Sequence, residues 1–342
     1  MGSWRSLTVI AGAAIIVVGL LAADRYRTWR EAQDVAFAAP SAQPHGPLRR
    51  TIVARGLTPP YPVLLVDASN VYFTRSEPNN ETSLRALSKA RGIEREVAKA
   101  KSATLVAQDA SSLYLVDVAS EALTRASKTD GVFAKMPGKC APPMLAEGTT
   151  IFCRDRDGAF GRWLQRLDAA SGSVRWRVEI GKIADGNVAT IERAGSKLFV
   201  GTAFVGGREG TSHVLEVDPE DGAGNIVASG LSYPLIATDS LAVYAVVDGP
   251  GGGDAVPIVR RPLAAFDRAT TLARHHPSGL ALTEHYVLWC VRDEDVFAVP
   301  KAGGAVESIG GGQGCSGLAA DAATVFFIDK WGAIIRVDGL DD

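Results

Sequence analysis

Beyond about residue 50 the chain alternates short apolar runs with small polar turns, and one run–turn–run unit keeps returning. Its first copy is Val63-Leu64-Leu65-Val66, Asp67-Ala68-Ser69-Asn70, Val71-Tyr72-Phe73. A second runs from Leu105-Val106-Ala107 through Asp109-Ala110-Ser111-Ser112 to Leu113-Tyr114-Leu115, and a last one from Gly317-Leu318-Ala319-Ala320 through Asp321-Ala322-Ala323-Thr324 to Val325-Phe326-Phe327. Short β-branched and aromatic runs bounded by Asp, Asn and Ser read as strands joined by tight turns. Weaker copies place Phe152, Phe199, Tyr244 and Leu288 at the point held by Tyr72, Tyr114 and Phe326.

These seven markers lie 42, 38, 47, 45, 44 and 38 residues apart. Such intervals match a four-stranded propeller blade and are too long for a leucine-rich repeat. The second half of the unit repeats as well: residues 84–97 align without gaps with 296–309, each reading as two strands around a Gly-containing turn. The seventh unit ends one strand short, after Ile334-Ile335-Arg336-Val337-Asp338, and Arg50-Thr51-Ile52-Val53-Ala54 precedes the first repeat. An N-terminal strand that completes the last blade leaves no sheet edge open. The expected fold is all-β: a β-propeller of seven four-stranded blades, closed in this way and preceded by one transmembrane helix.

Two local motifs carry a family resemblance. Leu167-Asp168-Ala169-Ala170-Ser171-Gly172-Ser173-Val174-Arg175-Trp176 resembles the Leu-Asp-x-x-Thr-Gly-x-x-x-Trp repeat of quinoprotein-like propellers. The turns around Asp67 and Asp321, with Pro300-Lys301-Ala302-Gly303-Gly304, resemble bacterial propellers with YWTD-like blades. The resemblance covers roughly residues 50–338 and implies a membrane-tethered bacterial propeller repeat protein. It implies no particular function, because the fold hosts enzymes, scaffolds and lectins alike. Quinoprotein dehydrogenases repeat the tryptophan motif in nearly every blade, whereas here only Trp176 fits, so a packing role between blades is expected for it.

The first thirty residues differ. The uncharged run 7–23 is just long enough to span a bilayer, and Arg25, Tyr26, Arg27, Trp29 and Arg30 follow it like an interfacial anchor. Residues 1–30 are therefore expected to form an uncleaved signal anchor, 31–49 a Pro/Ala-rich tether, and 50–342 the propeller. The arginines after the span pull towards a cytoplasmic C-terminus, while an even set of four cysteines pulls towards export. We expect the exported arrangement: a single-pass protein of the inner membrane with its propeller in the periplasm. A net charge of −2 excludes a dedicated nucleic-acid binder.

The cysteines are expected to pair as Cys140–Cys153 and Cys290–Cys315. Cys140 and Cys315 precede first strands and Cys153 and Cys290 lie just past markers, which gathers all four on one face. That face also carries the turns between second and third strands, where long polar stretches are expected at 76–82, 155–161, 206–212 and 248–254. Charged residues cluster where second strands end: Arg75, Asp117, Arg154, Asp248, Arg292, Asp293, Asp329 and Lys330. A ring of them near the channel mouth would hold a polar partner protein or small charged ligand through charge-assisted hydrogen bonds. No catalytic set, metal site or cofactor motif is read. His275-His276 is expected to lie in a loop before the sixth blade, Asp155-Arg156-Asp157-Gly158 lacks a third carboxylate for calcium, and 218–222 is an acidic hairpin turn. The function expected is non-enzymatic binding or scaffolding, with a propeller-fold enzyme (hydrolase, lyase or quinone-dependent dehydrogenase) as the alternative.

Overall fold

The computed structural model describes residues 48–340 except 58–62, 79–80, 118–119, 121, 156–160, 185, 204–211, 232–234 and 247–254. The anchor expected at 1–30 and nearly all of the tether lie outside these residues. Among the described residues no helix is long and apolar enough to cross a membrane.

Among the described residues, twenty-eight strands form seven four-stranded antiparallel sheets. Six are simple meanders over residues 65–101, 103–139, 141–179, 187–231, 236–275 and 279–308, here blades 1 to 6. Blade 7 takes three strands from 317–338 and its outermost from Arg49–Ala54, which pairs antiparallel with Ile334–Asp338 from Arg49↔Asp338 to Ala54↔Ile334. From blade 2 to blade 7 the first strands of successive sheets touch, blade 2's first strand lies against the second and third strands of blade 1, and the first strand of blade 7 meets that of blade 1, so the ring closes. The expected seven-bladed propeller with N-terminal closure is the observed fold.

The burial pattern explains why the repeat was visible. Second strands are sandwiched between neighbouring blades and covered on both sides over most of their length, so they read as apolar runs rather than alternations, the polar end of Asn70–Glu77 excepted. Ala242–Val246, Tyr286–Cys290 and Val325–Ile328 are buried at every position. Outermost strands such as Glu94–Lys101 face water and are largely charged. All seven markers are at most 2 % exposed.

Among the described residues the core is divided accordingly into seven apolar clusters, one at each junction between blades. Tyr72 packs with Leu113, Tyr114 with Ile151, Phe152 with Val200, Phe199 with Val243, Tyr244 with Val287, Leu288 with Val325, and Phe326 with Phe73. Each marker thus reaches into the next blade. Trp176 also docks between blades as expected: its Nε1 donates to the Pro219 carbonyl at 3.0 Å, in the fourth blade's outer turn.

Both expected disulfides are present. Cys140–Cys153 ties the entry of blade 3 to its own second strand, and Cys290–Cys315 ties the end of blade 6's second strand to the crossing into blade 7. Antiparallel order puts the second-to-third turns and the inter-blade crossings on one face, called here the loop face. First-to-second and third-to-fourth turns share the other, the hairpin face. Both disulfides lie towards the loop face.

Candidate functional site

On the loop face the strands deliver the seven described residues of the charged set to different surroundings. In blade 1 the second strand continues to Glu77 and the third begins at Glu81, with Ser76↔Thr82 in register. The long loop expected at 76–82 is thus mostly hairpin. Its polar side chains satisfy one another across the ladder, as where Ser83 Oγ donates to Glu77 at 2.8 Å. Arg75 consequently sits inside the strand, not at its end. It donates to the Arg55 carbonyl at 2.8 Å and pairs with Glu94 at 3.1 Å, beside an Arg85 that engages Glu77, Glu94 and Glu96.

Asp117 caps its own turn through the amide and hydroxyl of Ser120. Asp248 lies outside the described residues. Arg154 lies one residue before the end of blade 3's second strand, Thr150–Asp155, and its buried Nε has no hydrogen-bond partner among the described residues. Burial alone pushes its pKa down.

The remaining four converge. Gly314 N–H donates to the Glu294 carbonyl at 3.0 Å and Lys330 N–H to the Gln313 carbonyl at 3.2 Å, lashing the crossing between blades 6 and 7 to the turns on either side. A Cβ on Gly314, whose φ is +74°, would stand 3.2 Å from Lys330 Cβ and 3.5 Å from Asp293 Cα, which shows how near these turns come. Asp329 is buried and accepts from the amides of Trp331 and Ala333, so it builds the turn and does not face a ligand. Arg292, Asp293 and Lys330 are exposed beside it. Sequence reasoning missed Trp331, which is 65 % exposed with the Lys330 ammonium 4.5 Å from its ring centroid. The signal available was a tryptophan placed in a turn between two strands. The two turns together expose an aromatic, two cations and the two carboxylates Asp293 and Glu294, with Cys290–Cys315 tying the strand before the first turn to the crossing between them.

On the hairpin face a cavity of about 800 Å³ opens between blades 1 and 2, walled by Asp67, Asn70, Tyr72, Gln108, Asp109 and Lys128. Asp67 Oδ1 accepts the amides of Ser69 and Asn70 while Oδ2 accepts Tyr72 Oη and the Lys128 ammonium, the last at 2.9 Å. Burial would raise the Asp67 pKa, but Lys128 and these hydrogen bonds outweigh it and hold it below the ordinary value. Burial, then Asp67, pushes Tyr72 up to about 12.

The histidine pair lies elsewhere. His275 is the last residue of blade 5's fourth strand, not a loop residue, and is buried 4.4 Å from the Phe297 ring and 5.6 Å from Trp289. Burial, then His276, lowers it to about 4.

No protein-family profile matches the chain, and no curated protein matches it. Solved structures do. Virginiamycin B lyase from Staphylococcus aureus is similar with a TM-score of 0.60 at 13% identity, covering 86% of this chain and 99% of the lyase. The β-propeller domain of Cps50 (Swd1) from Myceliophthora thermophila gives 0.57 at 11% identity, covering 85% and 100%. BamB from Moraxella catarrhalis gives 0.51 at 12%, covering 85% and 98%. Likeness at such identities shows the β-propeller fold and nothing finer, and that fold serves enzymes and non-enzymes alike.

Proposed function

We propose that this protein is a membrane-anchored, extracytoplasmic propeller that binds or scaffolds a partner protein through its loop face, without catalysis. The observation that carries the reading is Trp331: a large aromatic, exposed beside Lys330, Arg292 and Asp293, on a turn that a disulfide and two crossing hydrogen bonds hold in place. Tryptophan and arginine on a preorganised support are the residue types that dominate binding energy at protein interfaces. Two buried disulfides support an oxidising compartment, and the uncharged run 7–23 supports an inner-membrane anchor with the propeller on the periplasmic side.

The test is cross-linking in living cells with a photoreactive residue at position 331, compared with one at Ala323, exposed on the hairpin face in a turn whose Asp321 already holds Lys89. A discrete adduct from position 331 that disappears in Arg292→Ala/Lys330→Ala is expected. Equal adducts from both positions would remove the loop face from consideration. A reporter active only outside the cytoplasm, fused after Asp342, should be active; activity of a cytoplasm-only reporter there would overturn the topology. The rival reading, an enzyme on this fold, predicts a bound chromophore, or dye-linked activity on adding quinone and calcium.

A further inference from the structure

The residue five positions before each marker occupies the same corner of each blade, where the first strand turns into the second. In chain order these residues are Asp67, Asp109, Glu147, Ala194, Asp239, Thr283 and Asp321. Five are acids, and four of those meet a cation supplied by the following blade. Lys128 reaches Asp67 at 2.9 Å, Arg193 reaches Glu147 at 2.9 Å, Lys301 reaches Asp239 at 2.8 Å, and Lys89 of blade 1 reaches Asp321 of blade 7. The fifth acid is Asp109. The blade 3 residue at the place of Lys89, Lys128 and Lys301 is Ala169, recognisable because its N–H likewise donates to the preceding turn of its own blade.

Asp109 is otherwise built like its lysine-bound counterparts. Its Oδ1 accepts the amides of Ser111 and Ser112 at 2.7 Å each, and its Oδ2 accepts Tyr114 Oη at 2.7 Å. Nor does Arg125 stand in for the lysine. It donates to the Ala169 carbonyl at 3.1 Å, as Arg95 donates to the Lys128 carbonyl and Arg336 to that of Lys89, at junctions where the lysine is present too. Asp109 is partly exposed and forms part of the wall of the 800 Å³ cavity, which provides an approach from solvent.

We propose that Asp109 is a binding site for a primary ammonium group supplied from outside the chain, taking the place that a lysine of the next blade takes at Asp67, Asp239 and Asp321. The repeat itself defines the ligand chemistry: an alkylammonium donating to Oδ2 near a tyrosine face. Lys128 and Lys301 show this arrangement, 4.8 and 5.8 Å from the ring centroids of Tyr72 and Tyr244. This goes beyond the loop-face reading and stands independently of it, on the opposite face.

The test is titration of the full-length, ¹⁵N-labelled protein with Nα-acetyl-lysine methylamide and, separately, with cadaverine, following backbone amide shifts. The amides of Ser111 and Ser112 should move saturably while those of Ser69 and Asn70, whose carboxylate already holds Lys128, stay in place. Asp109→Asn keeps the turn acceptor but removes the charge, and should weaken binding by about tenfold or more. Ala169→Lys should abolish it by supplying the ammonium internally; because Ala169 is buried, Asp109→Asn carries the test should that variant not fold. Cadaverine binding tenfold or more tighter than the lysine derivative would assign the site to free polyamines. Comparable affinities would assign it to a lysine side chain of a partner. No movement at Ser111 and Ser112, equal movement at all four amides, or undiminished binding in Asp109→Asn would overturn the proposal.

Discussion

A carboxylate five positions ahead of a buried aromatic closes its own turn, receives the tyrosine hydroxyl, and receives a lysine from the next blade. At Asp67 all three tasks fall on one side chain, so Asp67→Ala leaves Lys128, itself only 9 % exposed, and Tyr72 Oη without their acceptor. A loss of about 2–4 kcal/mol is expected on urea denaturation, whereas Arg49→Ala, which breaks an exposed pair with Asp338, should cost under about 0.5 kcal/mol. Similar losses for both would remove the special standing of the junction carboxylates. His275 makes a pH prediction. Its unfolded form takes a proton near 6.5 and its folded form only near 4, so stability is whole above pH 6.5 and drains away as pH falls from there towards 4. His275→Phe should flatten that slope, by no more than about 3 kcal/mol across the window. A wild-type slope that the variant retains would assign it to other groups. These contacts were the least legible part of the sequence. Lys128 and Asp67 stand 61 residues apart and Lys89 and Asp321 stand 232 apart, so only the closed ring reveals their pairing.

At the scale of the element, much was legible because the constraint acts on each strand separately. A second strand has to be apolar over the length that is covered on both sides, so the large Tyr72, Phe199 and Phe326 stand out in any copy of the repeat. The cysteines were legible for a related reason: once strand order is known, Cys140 and Cys153, and Cys290 and Cys315, fall at the same end of their strands. Their Cα atoms lie 5.7 and 5.5 Å apart. What misled was polarity. Ser76-Glu77 and Glu81-Thr82 look like loop, yet they pair as strand because a hairpin edge facing water tolerates polar side chains on both arms. Reducing either disulfide should cost about 2–4 kcal/mol, and the bridge closing the longer segment, 25 residues against 13, should cost more by about 0.6 kcal/mol. Paired Cys→Ala variants compared by chemical denaturation measure both. The reverse ranking would show that chain entropy does not govern the difference.

For the molecule as a whole, closure is the decisive contact, and it is fastened well beyond one ladder. Leu57 N–H donates to the Gly332 carbonyl at 3.0 Å, Arg50 Nε to the Ile309 carbonyl at 2.7 Å, and Arg336 to the Lys89 carbonyl at 2.7 Å. Gly332 has φ +75°, and a Cβ there would lie 2.0 Å from the Leu57 carbonyl, so no other residue fits beside the entering strand. Removing residues 1–54 should lower the melting temperature and cause concentration-dependent association, because Ile334–Asp338 becomes an open edge. A monomer of unchanged stability would show that this strand is dispensable. The direction of that ladder has a mechanical side. Arg49 faces Asp338, so the two ends of the ring leave it side by side, at one end of an antiparallel pair. A load applied between them draws the strands apart sideways, and the rungs from Arg49↔Asp338 to Ala54↔Ile334 break one after another instead of all together in shear. Pulled by its ends, the ring should open at low force like a zipper, with the first six blades still folded when its outermost seam has given way.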